Sequence, residues 1–203
     1  QARQFQAAKS SCEQLLALQP ESAMAYCLLS SCFSSLDKPR LATFNAFQAC
    51  KHANAALAAR DILFISNVCL SVGETYLGHS MLQYIDINDK NNRDLLLDVG
   101  RQYSSLEDQP TALRFVQRAH AEGTNGWFAN HILSIIFSFV GPVENAISAS
   151  ESSISKNRQH GHAHWMRAQF GSKEGNALRI NRMREVLTQP GLTVDDNTYL
   201  QYG

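Results

Sequence analysis

Three histidines at alternate positions, His160-Gly161-His162-Ala163-His164, are by type the side chains best suited to chemistry. On a helix, His160 and His164 would share one face a turn apart, a spacing that can hold a transition metal. His162 would point away, no Cys or carboxylate lies close in sequence, and Gly161 argues against a helix through this point. Ligand count therefore favours solvated imidazoles in a loop between hairpins, and no metal site is expected. Glu144, Glu151, His120 and His131 could serve as acid–base groups, but no pairing or strained turn supports that role. Serine is abundant without a G-x-S-x-G turn, and neither G-x-x-x-x-G-K-[ST] nor G-x-G-x-x-G occurs. No catalytic residue and no cofactor are expected within these residues.

Composition narrows the partners. The 203 residues carry 18 Lys plus Arg against 18 Asp plus Glu, and a zero balance argues against a polyanion binder. Arg179, Arg182 and Arg184 share one predicted helix, but Glu174 and Glu185 flank them, so no nucleic-acid partner is expected. Charged residues reach 18%, below the roughly 25% usual for soluble domains, which suggests that some surface meets something other than water. The five cysteines, Cys12, Cys27, Cys32, Cys50 and Cys69, form no C-x-x-C pair and sit among apolar residues at helical spacing. They are expected to be small buried hydrophobes in a reducing compartment, and hence the protein cytoplasmic. The longest apolar stretch, 132–140, is broken by Ser134 and Ser138 and falls short of the ~18 residues that span a bilayer. No membrane segment and no signal peptide are expected, and the natural start is expected elsewhere because the first residue is Gln1.

The elements that would position any site show themselves as a repeat. Ala8, Ala42, Gly78, Ala112 and Ala146 follow one another at 34, 36, 34 and 34 residues. Ser30, Ser66, Gly100 and Ser134 form a second ladder, and Phe33, Cys69, Tyr103 and Phe137 a third, each with steps of 36, 34 and 34. A fourth ladder, Cys12, Ala46, Leu82, Val116 and Ser150, runs in phase with the first. One two-residue insertion near 54–60 accounts for every departure from 34. The spacing suits a helical hairpin of two helices of about 13 residues joined by short turns. Small residues belong where the two helices cross most closely, and larger apolar ones beside them. In 93–124, Leu96, Val99, Gly100 and Tyr103 line one helix and Ala112, Leu113, Val116 and Ala119 the next, with Pro110 placed to open the second.

These ladders resemble the tetratricopeptide repeat over nearly the whole chain. The matching residues are Tyr26, Leu29 and Phe33; Val99, Gly100 and Tyr103; Ala112 and Ala119; and Ala8 and Pro20. Most Gly slots hold Ser, the closing Pro is usually absent, and Ile62 and Asn130 replace the first aromatic. The resemblance implies an all-α fold, a right-handed superhelix of stacked antiparallel helical hairpins. Residues 1–160 would form the array, beginning inside a second helix (4–18) and continuing through four hairpins. Residues 161–203 would form a degenerate repeat and a junction: a short helix at 164–170, a break at 171–175, a helix at 176–188, and a last helix capped by Asp195-Asp196-Asn197.

The tail resembles the junction of a bacterial family in which a tetratricopeptide array precedes a sulfotransferase domain. The residues that carry this are Ala163-His164-Trp165-Met166, Arg182-Met183, Glu185-Val186-Leu187, Pro190-Gly191-Leu192, Asp195-Asp196 and Tyr199-Leu200-Gln201-Tyr202. The resemblance implies a scaffold cut from a larger protein, with the enzyme domain beyond Gly203; the alternative is a free-standing adaptor or self-associating array.

In such an array the first helix of each hairpin lines the concave face. That geometry puts Cys27, Ser31 and Ser34, then Leu63, Asn67 and Leu70, then Leu97, Arg101 and Ser104 in the groove. His131, Ile135 and Phe139 follow, and Trp165 and Gln169 end it. The expected partner is a protein or peptide in this groove or an attached C-terminal domain, with a homodimer as a further possibility. Of the residues that clamp a terminal carboxylate, only Asn67 fits, while Leu63, Asp94 and Asp98 stand where cations are needed. Phe128, Phe139 and Trp165 could form an aromatic docking patch; the favoured reading is that they complete interfaces between hairpins.

Overall fold

The structure, a computed structural model, describes residues 2–170 and 175–202. Every regular element among them is helical. They are α1 (Ala2–Leu18), α2 (Ala23–Ser35), α3 (Pro39–His52), α4 (Ala59–Ser71), α5 (Thr75–Leu82), α6 (Leu96–Ser105) and α7 (Gln109–Ala121). After these come α8 (Trp127–Phe139), α9 (Val143–Lys156), α10 (Gly161–Gln169), α11 (Asn176–Leu187) and α12 (Val194–Tyr202). The helices pair as the ladders require: α2 with α3, α4 with α5, α6 with α7 and α8 with α9.

The crossings show why the small residues recur. Ala42, Ala112 and Ala146 are fully buried, and Ser30 and Ser66 face them or their counterpart from the partner helix. The Ser30 hydroxyl donates to the Ala42 carbonyl at 2.8 Å, and Ser66 to the Gly78 carbonyl at 2.6 Å. Serine is thus not a degraded glycine here: its hydroxyl converts the close approach into a hydrogen bond between helices. In α6 the slot holds Gly100, where a Cβ would sit 2.5 Å from Val116 Cγ2 and 3.1 Å from the Ala112 carbonyl oxygen. Ala8 is exposed, since no helix among the described residues crosses α1 on that side.

A further ladder lies in the turns. Asp37, Gly73, Glu107 and Gly141 all have positive φ, at 55, 86, 64 and 123°, and their spacing repeats the 36, 34 and 34 steps of the core. At the first three, the helix ends in paired bonds such as Lys38 N–H to Phe33 O and Asp37 N–H to Ser34 O, which satisfy its last carbonyls. Pro39 and Pro110 then open the following helices. Only two of the four positions are glycine, so composition conceals this ladder.

Two departures from the predicted elements have local causes. Helix α5 has 8 residues because the side chains of Asp86 and Asp89 accept from the backbone N–H of Asn88 and Asn91, an alternative to helical bonding. A 3-10 turn over Lys90–Leu95 then leads into α6. The last helix is capped not by the Asp195 run but by Thr193, whose hydroxyl accepts from Asp196 N–H at 3.0 Å and donates to Asp196 Oδ2 at 2.7 Å. The predicted break at 171–174 lies outside the described residues.

The chain divides into two compact units, Gln1–Leu95 and Leu96–Gly203. Residues 161–203 fall in the second unit, where α10 packs on α8 and α9. Its main partner is α12 rather than the adjacent α11.

Candidate functional site

The second unit presents a cleft of about 720 Å³ lined by Ser104, Gln109, Pro110, Ile135, Phe139 and Val140, among others. Three of the predicted groove residues, Ser104, Ile135 and Phe139, meet here. Ile135 and Phe139 lie one turn apart on α8, and Phe139 is 70% exposed because the helix ends there. The opposite wall is the α6–α7 turn, fixed by reciprocal bonds: Ser104 Oγ to Gln109 Oε1 at 2.9 Å and Gln109 Nε2 to the Ser104 carbonyl at 3.1 Å. Leu97 and Arg101 are half-buried on α6, where Arg101 stands 3.9 Å from Asp98. The result is an apolar shelf with a rim of hydroxyl, amide and carboxylate groups. It offers an extended chain both a place for an apolar side chain and partners for its backbone.

Other groove expectations divide by unit. In the first, Asn67 is exposed and Leu70 half-buried, but Cys27 and Leu63 are buried in the core and line nothing. In the second, Gln169 is exposed on α10 and Trp165 half-buried. His131 is 4% exposed and lies inside the unit.

What covers His131 is a cluster that sequence spacing did not reveal. Its ring lies 4.4 Å from that of His160 and 4.6 Å from that of His162, both edge-on. Trp127 packs 4.6 Å from His160, Tyr199 of α12 stacks on His162 at 4.4 Å, and Trp165 borders His162 and Tyr199. His164, expected as a solvated imidazole, is buried instead, and its Nε2 meets the Arg158 carbonyl at 2.9 Å. Helix α10 begins at Gly161 itself, against the expectation of a loop. A Cβ there would sit 2.2 Å from the Asp196 carbonyl oxygen and 2.7 Å from its Cα, and Gly161 N–H donates to Asp196 Oδ1 at 2.8 Å. Burial first, then the neighbouring His160 and His162, lowers the His131 pKa to about 3. Burial also lowers His160, partly opposed by Asp196, and lowers His162 and His164. Among the described residues, no three His, Cys, Asp or Glu side chains are placed to hold a metal ion.

Aromatic residues thus split between the two readings given them. Trp165 of α10 packs against Tyr199 of α12 and Phe128 lies edge-on to its α8 neighbour Trp127, whereas Phe139 stays open. Glu151, an acid–base candidate by type, is held by Arg167 at 2.8 Å and Arg182 at 2.7 Å. Burial alone would raise its carboxyl; the two guanidinium groups outweigh that and hold it below the ordinary carboxylate range. Its work is to tie α9 to α10 and α11. In the first unit, a cleft of about 490 Å³ is bordered by Asp86, Asp89, Asp94 and Arg60. Two of those aspartates are engaged in the backbone turns already described. No helix among the described residues is long and apolar enough to cross a membrane.

No protein-family profile matches the chain, and no curated protein matches it. Solved structures do. The C-terminal part of a TPR repeat-containing protein from Cytophaga hutchinsonii superposes with a TM-score of 0.62 at 15% identity, covering 91% of this chain and 73% of that one. YrrB, described as a TPR protein with an unusual peptide-binding site, gives 0.60 at 18% identity over 94% of this chain and 96% of its own. MamA gives 0.56 at 16% identity over 86% and 93%. At such identities a likeness establishes the fold alone, and that fold is the helical-hairpin solenoid of tetratricopeptide-repeat proteins.

Proposed function

We propose that this chain is a non-catalytic protein-interaction scaffold whose second unit receives an extended peptide in the cleft between α8 and the α6–α7 turn. The observation that carries the reading is Phe139, a large aromatic left 70% exposed at the end of an otherwise well-buried helix. With Ile135 it forms an apolar anchor beside the polar Ser104–Gln109 turn, the combination that interaction hot spots use. YrrB, of the same fold, is described as having a peptide-binding site, which adds weight. The test is affinity capture of partners from cell extract with Phe139→Ala, Ile135→Ala and the unaltered chain. Recovery about tenfold lower for either folded variant is expected; unchanged recovery removes the placement.

The resemblance of the tail supports placing this array ahead of an attached sulfotransferase domain in a bacterial cytoplasmic protein, where it would position a protein substrate. Sequencing the gene downstream of Gly203 decides this, and absence of a phosphate-binding loop removes it. The alternative, a free-standing adaptor or a self-associating array, is favoured by the exposed Leu178, Val194 and Tyr202 on the last two helices. Light scattering over a concentration series separates the two, since a constant monomer mass excludes self-association.

A further inference from the structure

The five thiols are not equivalent. Cys12, Cys27, Cys32 and Cys69 are buried, and only Cys50 is partly open to solvent. Cys50 lies near the end of α3 and Cys69 near the end of α4, so they belong to consecutive hairpins, and their sulfurs are 3.3 Å apart. We infer that Cys50 and Cys69 form a modification site, oxidised by hydrogen peroxide to a disulfide that staples α3 to α4. To close the bond the sulfurs need approach by only about 1.3 Å.

The roles follow from exposure. Cys50, the open thiol, meets the oxidant; Cys69, shielded behind it, resolves the product. Sulfur of the Cys50 thiolate attacks one peroxide oxygen, the O–O bond breaks, and the departing hydroxide takes a proton to become water. Cys50 is then a sulfenic acid. The Cys69 sulfur attacks the Cys50 sulfur, the S–O bond breaks, and hydroxide leaves with the Cys69 proton as a second water. Two thiols and one hydrogen peroxide have become one disulfide and two waters. Electrostatics favour the same division of labour. The hydrogen bond between the two sulfurs lowers the Cys50 pKa and raises that of Cys69, while burial pushes Cys27 up to about 12.

The staple would act where the repeat is irregular. Residues 53–58 join α3 to α4, and the two-residue insertion that breaks the 34-residue period falls there. A disulfide across it restricts the swing of one hairpin on the next, which in a solenoid is the motion that opens or closes a binding face.

The test treats the full chain with hydrogen peroxide at low molar excess, blocks the remaining thiols with N-ethylmaleimide, and digests with trypsin. Cleavage at Lys51 and Arg60 separates the two cysteines. One cross-linked peptide joining Cys50 to Cys69 is expected, with a loss of two hydrogens, reversal by dithiothreitol, and a rise in Tm of roughly 5 °C. In Cys69→Ala the Cys50 sulfenic acid should instead persist and be trapped by dimedone. The inference fails if Cys50 proceeds to sulfinic acid without a cross-link, if the link runs to Cys27, or if dimedone labels another cysteine in that variant.

Discussion

Gly100 and Gly161 each close a helix crossing, and the two differ in a way that separates the array from its end. Gly100 abuts α7, the next helix along, within a hairpin whose register recurs every 34 residues. Gly161 abuts α12, two helices away, through the backbone of Asp196 rather than a side chain. The first crossing is one rung of a ladder and tolerates Ser in its sister positions, because the hydroxyl finds a carbonyl there. The second has no sisters. It depends on a helix that folds back past its neighbour, and it brings Tyr199 onto the His162 ring.

The largest effect should therefore come from Gly161→Ala. Its Cβ would collide with main-chain atoms that no rotamer change can move, so a loss of about 3 kcal/mol is expected. Hydrogen exchange should show α12 released while α2 and α3 stay protected; an intact α12 would overturn the contrast. Acidification comes next. The folded pKa values of His131, His160, His162 and His164 lie below the ordinary value of about 6.5, so the unfolded chain binds more protons. The stability these histidines confer is complete above about pH 6.5 and is lost as pH falls toward their folded values, about 3 for His131. Roughly 2 kcal/mol should go by pH 5. Both tryptophans, Trp127 and Trp165, sit in this cluster, so their fluorescence reports the second unit alone. His131→Gln should flatten the pH dependence.

Gly100→Ala should cost about 1.5 kcal/mol, less than Gly161→Ala because the nearest atom is a valine methyl that can rotate away. Thermal denaturation of the two variants side by side tests the ranking, and equal losses would break it. Ser30→Ala should cost about 1 kcal/mol by removing a buried hydrogen bond. Smallest, and opposite in sign, Glu107→Gly should stabilise by about 0.5 kcal/mol, since glycine adopts the positive φ found there without a Cβ clash.

Much of this architecture is legible in the order of the residues. Ala42, Ala112 and Ala146 at one phase, with Phe33 and Tyr103 at another, call for hairpins of fixed length, and the helices fall where those residues require. Pro110 marks the start of α7 as expected. The turn ladder was hidden because Asp37 and Glu107 hold a conformation that glycine usually signals. The candidate site was legible only in part. Ile135 and Phe139 follow from helical spacing, but Phe139 is open because α8 stops there and no later helix among the described residues covers it. His131 shares their spacing and is nonetheless buried.

Sequence by itself determined the period, the hairpins and the all-α class, since each depends on residues within one repeat and on helix geometry of fixed pitch. Tertiary structure decided which imidazoles meet, which thiols pair and which aromatic stays exposed. Those contacts join residues 19 to 31 positions apart, as Cys50 with Cys69 and His131 with His162, and no local spacing encodes a fold-back such as that of α12 onto α10.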